Sequence, residues 1–488
     1  MNGETKKGLT RLLVVALALI LPVMPRASTA ATPSYDPATT VVVFVHGFDP
    51  DGFHAMGVFG DDLWHEDLGR LAAVLRQPTW QDDPTAPNQV GATTYYGDTP
   101  PSSYTDADRA ADSSAAAGMP RYALRVARYI RQVLERASAA TAVNIVSASM
   151  GTEVARYLIE HDLLLLASEQ KITRWGQLVG VLAGNWAASH APDLLTRTAS
   201  PDVEQMSYEW VNANISANRT MNSPFYGPMI ITHWIATDDG DGVLTLLSDR
   251  PNDGTNLSAD ESFSDFTTAA ALHPATDGTL QMPGRSFGHT THTGTSDNDG
   301  VWAGVAAMSH NNVRVTATLT RVQALSTGDS LFQGRGEWVF SASVNSPRAA
   351  ALYGATQPLD HFIRQGGNPP LFRFGRNETQ FPNLVLFDQI VPPGETELRL
   401  TLWAEELDWH PKFYHVLENP FGNNRNMGAF DAILPTTGPS ASSAGAVTPR
   451  PFETGSRRPR VGARPRRGRP APESRRGAGA RPRWIATR

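Results

Sequence analysis

The chain of 488 residues contains no cysteine, which removes disulfides, thiolate metal sites and a thiol nucleophile together. Stability must therefore come from a packed core. Long apolar runs are almost as scarce. The single one, Leu12 to Met24, follows Lys6, Lys7 and Arg11 and is closed by Ala27-Ser28-Thr29-Ala30. It is shorter than the ~20 residues of a bilayer span and ends in small residues, so residues 1–30 read as a secretory signal peptide, with a retained membrane anchor as the other reading. No second run exists, and the mature protein is expected to be secreted, extracellular or periplasmic, with no integral membrane span. Basic residues are thin over most of the chain: the formal net charge is −6, yet thirteen arginines crowd into 437–488 against Glu453 and Glu473. The remainder is acidic, which argues against a nucleic-acid partner. The tail 437–488 also has almost no large apolar residues, so it is expected to be disordered; its arginines are either solvated or meet an anionic surface.

What is present between Thr39 and about His310 is an alternation of β-branched runs with helix-period segments. That pattern predicts a mostly parallel sheet with helices on both faces, an α/β domain over residues 31–310. "TTVVVFVHG" is a buried strand ending in a glycine turn, and "DLGRLAAVLRQ" has helical spacing. "RYALRVARYIRQVLERA" places Leu124, Ala127, Ile130 and Leu134 on one stripe, then "AVNIV" supplies a strand and "GTEVARYLIEHDLLLL" a helix. "QLVGVLAG", "MIITHWIAT" and "GTLQMPG" read as further strands. Asn185 to Gly227 has no strong period and reads as a loop-rich insertion whose Trp186, Tyr208, Trp210, Phe225 and Tyr226 form either a lid or acyl-binding wall or simply the insertion's own packing. After about Asn311 the helices stop. "VRVTATLTRV", "GEWVFSASV", "LFRFG", "LVLFDQIV" and "ELRLTLWA", separated by Gly, Pro and Asn turns, predict an antiparallel β-sandwich over 311–436.

A serine nucleophile needs a strained strand-to-helix corner, which lifts its hydroxyl clear of the sheet and aims the next N–H at the substrate oxygen. The literal G-x-S-x-G, Gly284 to Gly288, puts Ser286 behind Met282-Pro283 with no helix pattern after it. Ser149, in "VNIVSASMGTEVARYL", has a strand before it and a helix after it, although Ser147 stands where glycine is usual. That place must be small because backbone passes closely there. Ser326 and Ser443 meet a relaxed pattern but lack the context.

The stretch "ASMG" resembles the "HSMG" type of elbow in lipases and esterases of the α/β-hydrolase family, and "VVVFVHGF" is similar to that family's strand ending in His-Gly. The resemblance covers roughly Thr39 to His310. It implies that the N–H groups of Phe48 and Met150 form an oxyanion hole, that His46 is structural, and that an acid and a base follow Ser149 in that order. "DGVL" is similar to the acid-bearing loop of bacterial lipases and points to Asp241, with Asp238 and Asp239 competing; the other reading of these carboxylates is a hard-cation site. "GHTTHTG" offers His292 as base with His289 as alternate, while His190, His233, His273 and His310 read as surface or core residues. No cofactor and no metal are expected.

The expectation is therefore a secreted serine hydrolase that cleaves carboxylic or lipid esters through an acyl-enzyme on Ser149. A different class stays open: a catalytically inactive hydrolase-fold protein that contacts lipid or another surface through its sandwich. "WAEELDW" in the sandwich is faintly similar to C2-like domains, which bind lipid or Ca²⁺, and the other reading of the sandwich is support for the first domain.

Overall fold

The computed structural model describes residues 21–24, 39–48, 60–77, 90–93, 95, 104–137, 139–192, 201–215, 224–226, 229–236, 244, 252–261, 284–288, 292–323, 336–363, 372–374, 378–380, 384–406, 425–436 and 442–443. After the short strand β1 (Leu21–Met24) come β2 (Thr40–Val45), β3 (Val90–Ala92), β4 (Ala142–Ala148), β5 (Ile172–Leu178), β6 (Ile230–Ala236) and β7 (Gly284–Gly288). These last six pair in parallel in the order 7-6-5-4-2-3. All six residues of β2 are buried, which is why it reads as an unbroken apolar run rather than an alternating one.

The helices are α1 (Gly60–Leu75), α2 (Asp106–Ser114), α3 (Met119–Arg136), α4 (Met150–Glu160), α5 (Trp186–His190), α6 (Pro201–Gln205), α7 (Tyr208–Asn214), α8 (Asp299–His310) and α9 (Pro347–Tyr353). They cover both faces of the sheet. Val41, Val43 and Val45 of β2 pack with Val143, Ile145, Trp175 and the α3–α4 layer. Val42 and Phe44 pack with Leu71 of α1 and Val305 and Met308 of α8. The apolar stripe of α3 is turned from the expected one: Ala123, Val126, Ala127, Ile130 and Val133 are buried, while Leu124 and Leu134 are half-buried. The cause is a wider face that also takes in Tyr122, Arg125 and Tyr129.

The last parallel strand is β7, and it contains the literal G-x-S-x-G; the expected strand "GTLQMPG" lies largely outside the described residues. Ser286 pairs with Trp234 in the middle of a ladder, so it is a strand residue and not a corner. The insertion after Asn185 is also more regular than its sequence suggests. Its helices α5 and α7 start at side-chain caps, Asn185 on the Ala188 N–H and Ser207 on the Trp210 N–H, which local hydrogen bonding supplies without any hydrophobic period.

A β-sandwich follows. Its strands are β8 (Arg314–Leu319), β9 (Val322–Gln323), β10 (Gly336–Asn345), β11 (Asp360–Ile363), β12 (Phe372–Phe374), β13 (Thr379–Gln380), β14 (Leu384–Ile390), β15 (Glu397–Glu406), β16 (Arg425–Pro435) and the two-residue β17 (Ser442–Ser443). One layer, β11-β10-β15-β16 with β12 beside β10, is antiparallel. The other, β8 and β14, continues the parallel sheet through the pairing of Asp388 with Arg285 on β7. Alternate residues of β8 are buried, as a half-buried strand requires. Val315, Ala317, Phe340, Ala342, Leu400 and Leu402 share one core with Ile235 of β6 and Ala303 of α8, so the sandwich is built onto the α/β part and not beside it. Of the expected leader, only β1 is described; it pairs with β8 and β17. Among the described residues no helix is long and apolar enough to cross a membrane. Of the tail 437–488 expected to be disordered, only Ser442–Ser443 is described, as β17 paired with β1, and the rest lies outside the described residues.

Candidate active site

Ser149 sits between the end of β4 and the start of α4, at φ 50° and ψ −127°. A non-glycine residue is strained there, and such strain persists only where the surroundings over-determine it. They do: its N–H donates to the Leu178 carbonyl at 2.9 Å, and its carbonyl accepts from Thr152 at 3.0 Å and Val181 at 3.2 Å. Two glycines make the corner possible by close approach. A Cβ on Gly151 would lie 2.1 Å from the His46 carbonyl oxygen, and one on Gly47 would lie 2.9 Å from Ser149 Cβ. Ser147, the departure from the usual glycine, is wholly buried. Its hydroxyl accepts from Trp175 Nε1 at 2.9 Å and lies 3.0 Å from Thr152 Oγ1. The extra hydroxymethyl is therefore both accommodated and hydrogen-bonded.

Phe48, half-buried, follows Gly47 at the end of the β2 turn, and Met150 is the first residue of α4. The N-terminal N–H groups of that helix carry a partial positive charge next to Ser149. His46 is buried and stacks on Tyr95 with ring centroids 4.2 Å apart, in keeping with a structural part.

His292 follows β7 and makes two contacts with one residue. Its N–H donates to the Asp253 carbonyl at 2.9 Å, and its Nδ1 is hydrogen-bonded to Asp253 Oδ2. Asp253 Oδ1 accepts from the N–H groups of Thr255 at 2.8 Å and Asn256 at 2.5 Å. The Asp253 side chain is fully buried, whereas that of His292 keeps 16% of its exposure. Since Nδ1 is engaged, Nε2 is the ring nitrogen available for chemistry. Asn256 ties this pair to the elbow: its Nδ2 donates to the Val179 carbonyl at 3.0 Å, one residue beyond the Leu178 carbonyl that holds Ser149. Ser149, Asp253 and His292 follow β4, β6 and β7, so all three lie at the carboxyl ends of parallel strands, where ligands of open α/β sheets bind.

The candidate acids Asp238, Asp239 and Asp241 lie outside the described residues, as does the alternate base His289. The carboxylate that meets His292 is instead Asp253, to which the sequence drew no attention. Its signal is the run "NDGTN", turn-forming residues whose side chains bond their own backbone: Asn252 Oδ1 accepts from Gly254, which has a φ of 92°. The same loop carries two further buried acids. Asp260 accepts from the Tyr208 hydroxyl. Glu261 Oε2 accepts from the Ala236 N–H at 2.9 Å, and burial together with the Asp253 carboxylate pushes its carboxyl well above the usual range.

Among the described residues no cluster of histidines and carboxylates could hold a metal ion. In "SDNDG", Asn298 caps α8 and Asp299 binds Thr356 and Gln357, both structural tasks. The insertion's aromatics face inward: Tyr226 is wholly buried, stacks on Trp175 and donates to Glu160, Trp210 and Phe225 pack against the same core, and Trp186 packs on the small cluster of Ala187, Leu244 and Leu257.

No family model matches the chain, and no curated protein matches it. Two solved structures of phospholipase PlaB from Legionella pneumophila are similar. One, in complex with thio-NAD, is 13% identical with a TM-score of 0.31, over 46% of this chain and 44% of that one. The other is 12% identical with a TM-score of 0.31, over 46% of each chain. The chain thus spans less than half the length of these neighbours.

Proposed function

We propose that the protein is a serine hydrolase that cleaves carboxylic esters through an acyl-enzyme on Ser149. The observation that carries the proposal is Ser149 itself, a non-glycine residue held at φ 50° on a strand-to-helix corner, on the same rim as a buried Asp253–His292 pair. In this reading His292 Nε2 takes the proton of Ser149 Oγ as the oxygen attacks the ester carbonyl carbon, and the carbonyl oxygen becomes an oxyanion facing the Phe48 and Met150 N–H groups. Asp253, in the place first given to Asp241, holds Nδ1–H and so fixes the tautomer and stabilises the imidazolium. That proton then passes to the leaving alkoxide. Water, deprotonated by His292, attacks the acyl carbon and releases the acid and Ser149. A corner spoiled by the missing glycine at Ser147 would favour the inactive-scaffold alternative, and the hydrogen-bonded fit of that side chain weighs against it.

The test is fluorophosphonate labelling of the folded protein, with mass spectrometry to locate the adduct. An adduct on Ser149, lost in Ser149→Ala together with roughly 10⁶-fold in p-nitrophenyl ester turnover, is expected. A folded protein that takes no label on Ser149 overturns the proposal. The same reading includes export. N-terminal sequencing of protein recovered outside the cytoplasm should begin near residue 31, and recovery of the uncleaved chain would overturn that part alone.

A further inference from the structure

One wholly buried hydroxyl beside the elbow has no part in the mechanism above. Tyr95, just beyond β3, is 0% exposed. Its hydroxyl donates to the His46 carbonyl at 2.6 Å and also lies 3.2 Å from the Gly47 carbonyl. A phenylalanine would fill the same apolar space, and a buried hydroxyl is costly unless it is bonded. The bond it makes is to the turn that bears Phe48.

The Gly47 carbonyl meets a second donor, because His46 Nδ1 lies 3.0 Å from it and a carbonyl only accepts, which puts the proton on Nδ1. The peptide bonds here are trans, so the carbonyl of Gly47 and the N–H of Phe48 point in opposite directions. Holding the carbonyl toward Tyr95 and His46 therefore sets the heading of the Phe48 N–H. Something must hold it. Gly47 has to be glycine, since a Cβ would collide with Ser149, and glycine imposes little preference on the orientation of the peptide that follows it.

Tyr95 is itself fixed from behind. Its carbonyl accepts from Arg125 Nη1 at 3.1 Å, and Asp112 grips the same guanidinium at 2.8 Å and 2.9 Å. Tyr122 closes on its ring at a centroid distance of 5.3 Å. We infer that Tyr95 is a positioning residue whose hydroxyl, seconded by His46, fixes the Gly47–Phe48 peptide so that the Phe48 N–H faces the oxyanion. The inference rests on the hydrolase reading and adds to it the part that keeps the oxyanion hole formed.

The experiment compares Tyr95→Phe with wild type, as the full chain, on a p-nitrophenyl ester and on a trifluoromethyl ketone, which forms a tetrahedral oxyanion adduct with the serine. Loss of one oxyanion donor costs roughly 10²- to 10³-fold. Here the donor is misdirected and not deleted, so kcat should fall by about 10- to 100-fold with KM within about twofold. Affinity for the ketone should fall in step with kcat, and the acid limb of the pH profile should keep its midpoint. A merely structural role would not tie ketone affinity to kcat. If Tyr95→Phe fails to fold, His46→Phe keeps the stacking, removes the second donor to the same carbonyl and takes the same readouts, with a smaller drop in kcat expected. A labelled wild type with kcat and ketone affinity unchanged in the variant overturns this inference alone. A wild type that takes no label on Ser149 overturns the hydrolase reading and this inference with it.

Discussion

Two sets of buried carboxylates in this protein make a contrast. In the first a guanidinium is the partner: Asp112 is gripped by Arg125, and Asp388 by Arg314 at 2.7 Å and 2.5 Å with Thr316 Oγ1 at 2.9 Å. In the loop after β6 the partners are of another type. Asp253 meets backbone N–H groups and His292, Asp260 a tyrosine hydroxyl, and Glu261 a backbone N–H. A guanidinium neutralises a carboxylate and locks it with forked hydrogen bonds. Neutral donors hold a carboxylate in place yet leave its field to act on whatever charge arises beside it, which is what a histidine about to become an imidazolium requires.

The sharpest way to break this comparison is to neutralise Asp253. Asparagine keeps the shape but presents an amide to His292 Nδ1 and favours the wrong tautomer, so Asp253→Asn should cost roughly 10⁴-fold in kcat, with thermal unfolding close to that of wild type. Asp241→Asn is the control. If Asp253→Asn keeps more than a tenth of the activity and Asp241→Asn loses it, the acid is the residue in "DGDGVL" and the rim carboxylates are structural like the others.

On the other side, Arg125→Met leaves Asp112 buried without its cation. Breaking one partner from such a pair costs about 3–5 kcal/mol, which urea denaturation would read as a lower midpoint at unchanged slope. Adding Asp112→Leu should return most of that loss, because the cost lies in the stranded charge. A single variant as stable as wild type would mean that the pair does not hold α2 to α3.

Why part of this was legible beforehand follows from where each signal lives. The strands Thr40–Val45 and Ala142–Ala148 are buried along nearly their whole length, so the first announces itself as a near-continuous apolar run and the second as one broken only by Asn144 and Ser147, and the corner at Ser149 shows as a change of period from strand to helix. Pairing across the sheet leaves no such trace. Ser286 matches the motif letter for letter and still lies in mid-strand, while β14 joins β8 and β7 from far along the chain. Asp253 leaves no such trace either, because its neighbours are turn residues with no period and its partner His292 is thirty-nine positions away. Tyr95 was invisible for the same reason, since its meaning comes from two carbonyls forty-nine and forty-eight residues earlier.

A smaller effect separates the two kinds of carboxylate by pH. Although burial opposes it, the Thr105 N–H and hydroxyl and the Arg128 charge hold Asp108 below its usual range, so its contribution is present above the unfolded pKa and lost as pH falls. Glu261 behaves oppositely. Burial first, and then Asp253, push it well above the ordinary value, so above about pH 4.3 the folded chain keeps a proton that the unfolded chain releases. Stability then declines as pH rises toward the folded pKa, by up to ~1.4 kcal/mol per pH unit for this one group. Glu261→Gln keeps an acceptor for the Ala236 N–H and a donor toward Asp253 while removing the proton, so it should flatten that decline without lowering stability near pH 5. Glu153, one turn beyond Ser149 and raised by burial alone against the pull of Arg156, serves as the companion, and Glu153→Gln should remove a similar slope. Unfolding free energies measured from pH 5 to 8 decide it. Parallel curves for wild type and both variants would mean that these carboxyls are ionised when folded, and the loop after β6 would then belong with the arginine-paired set.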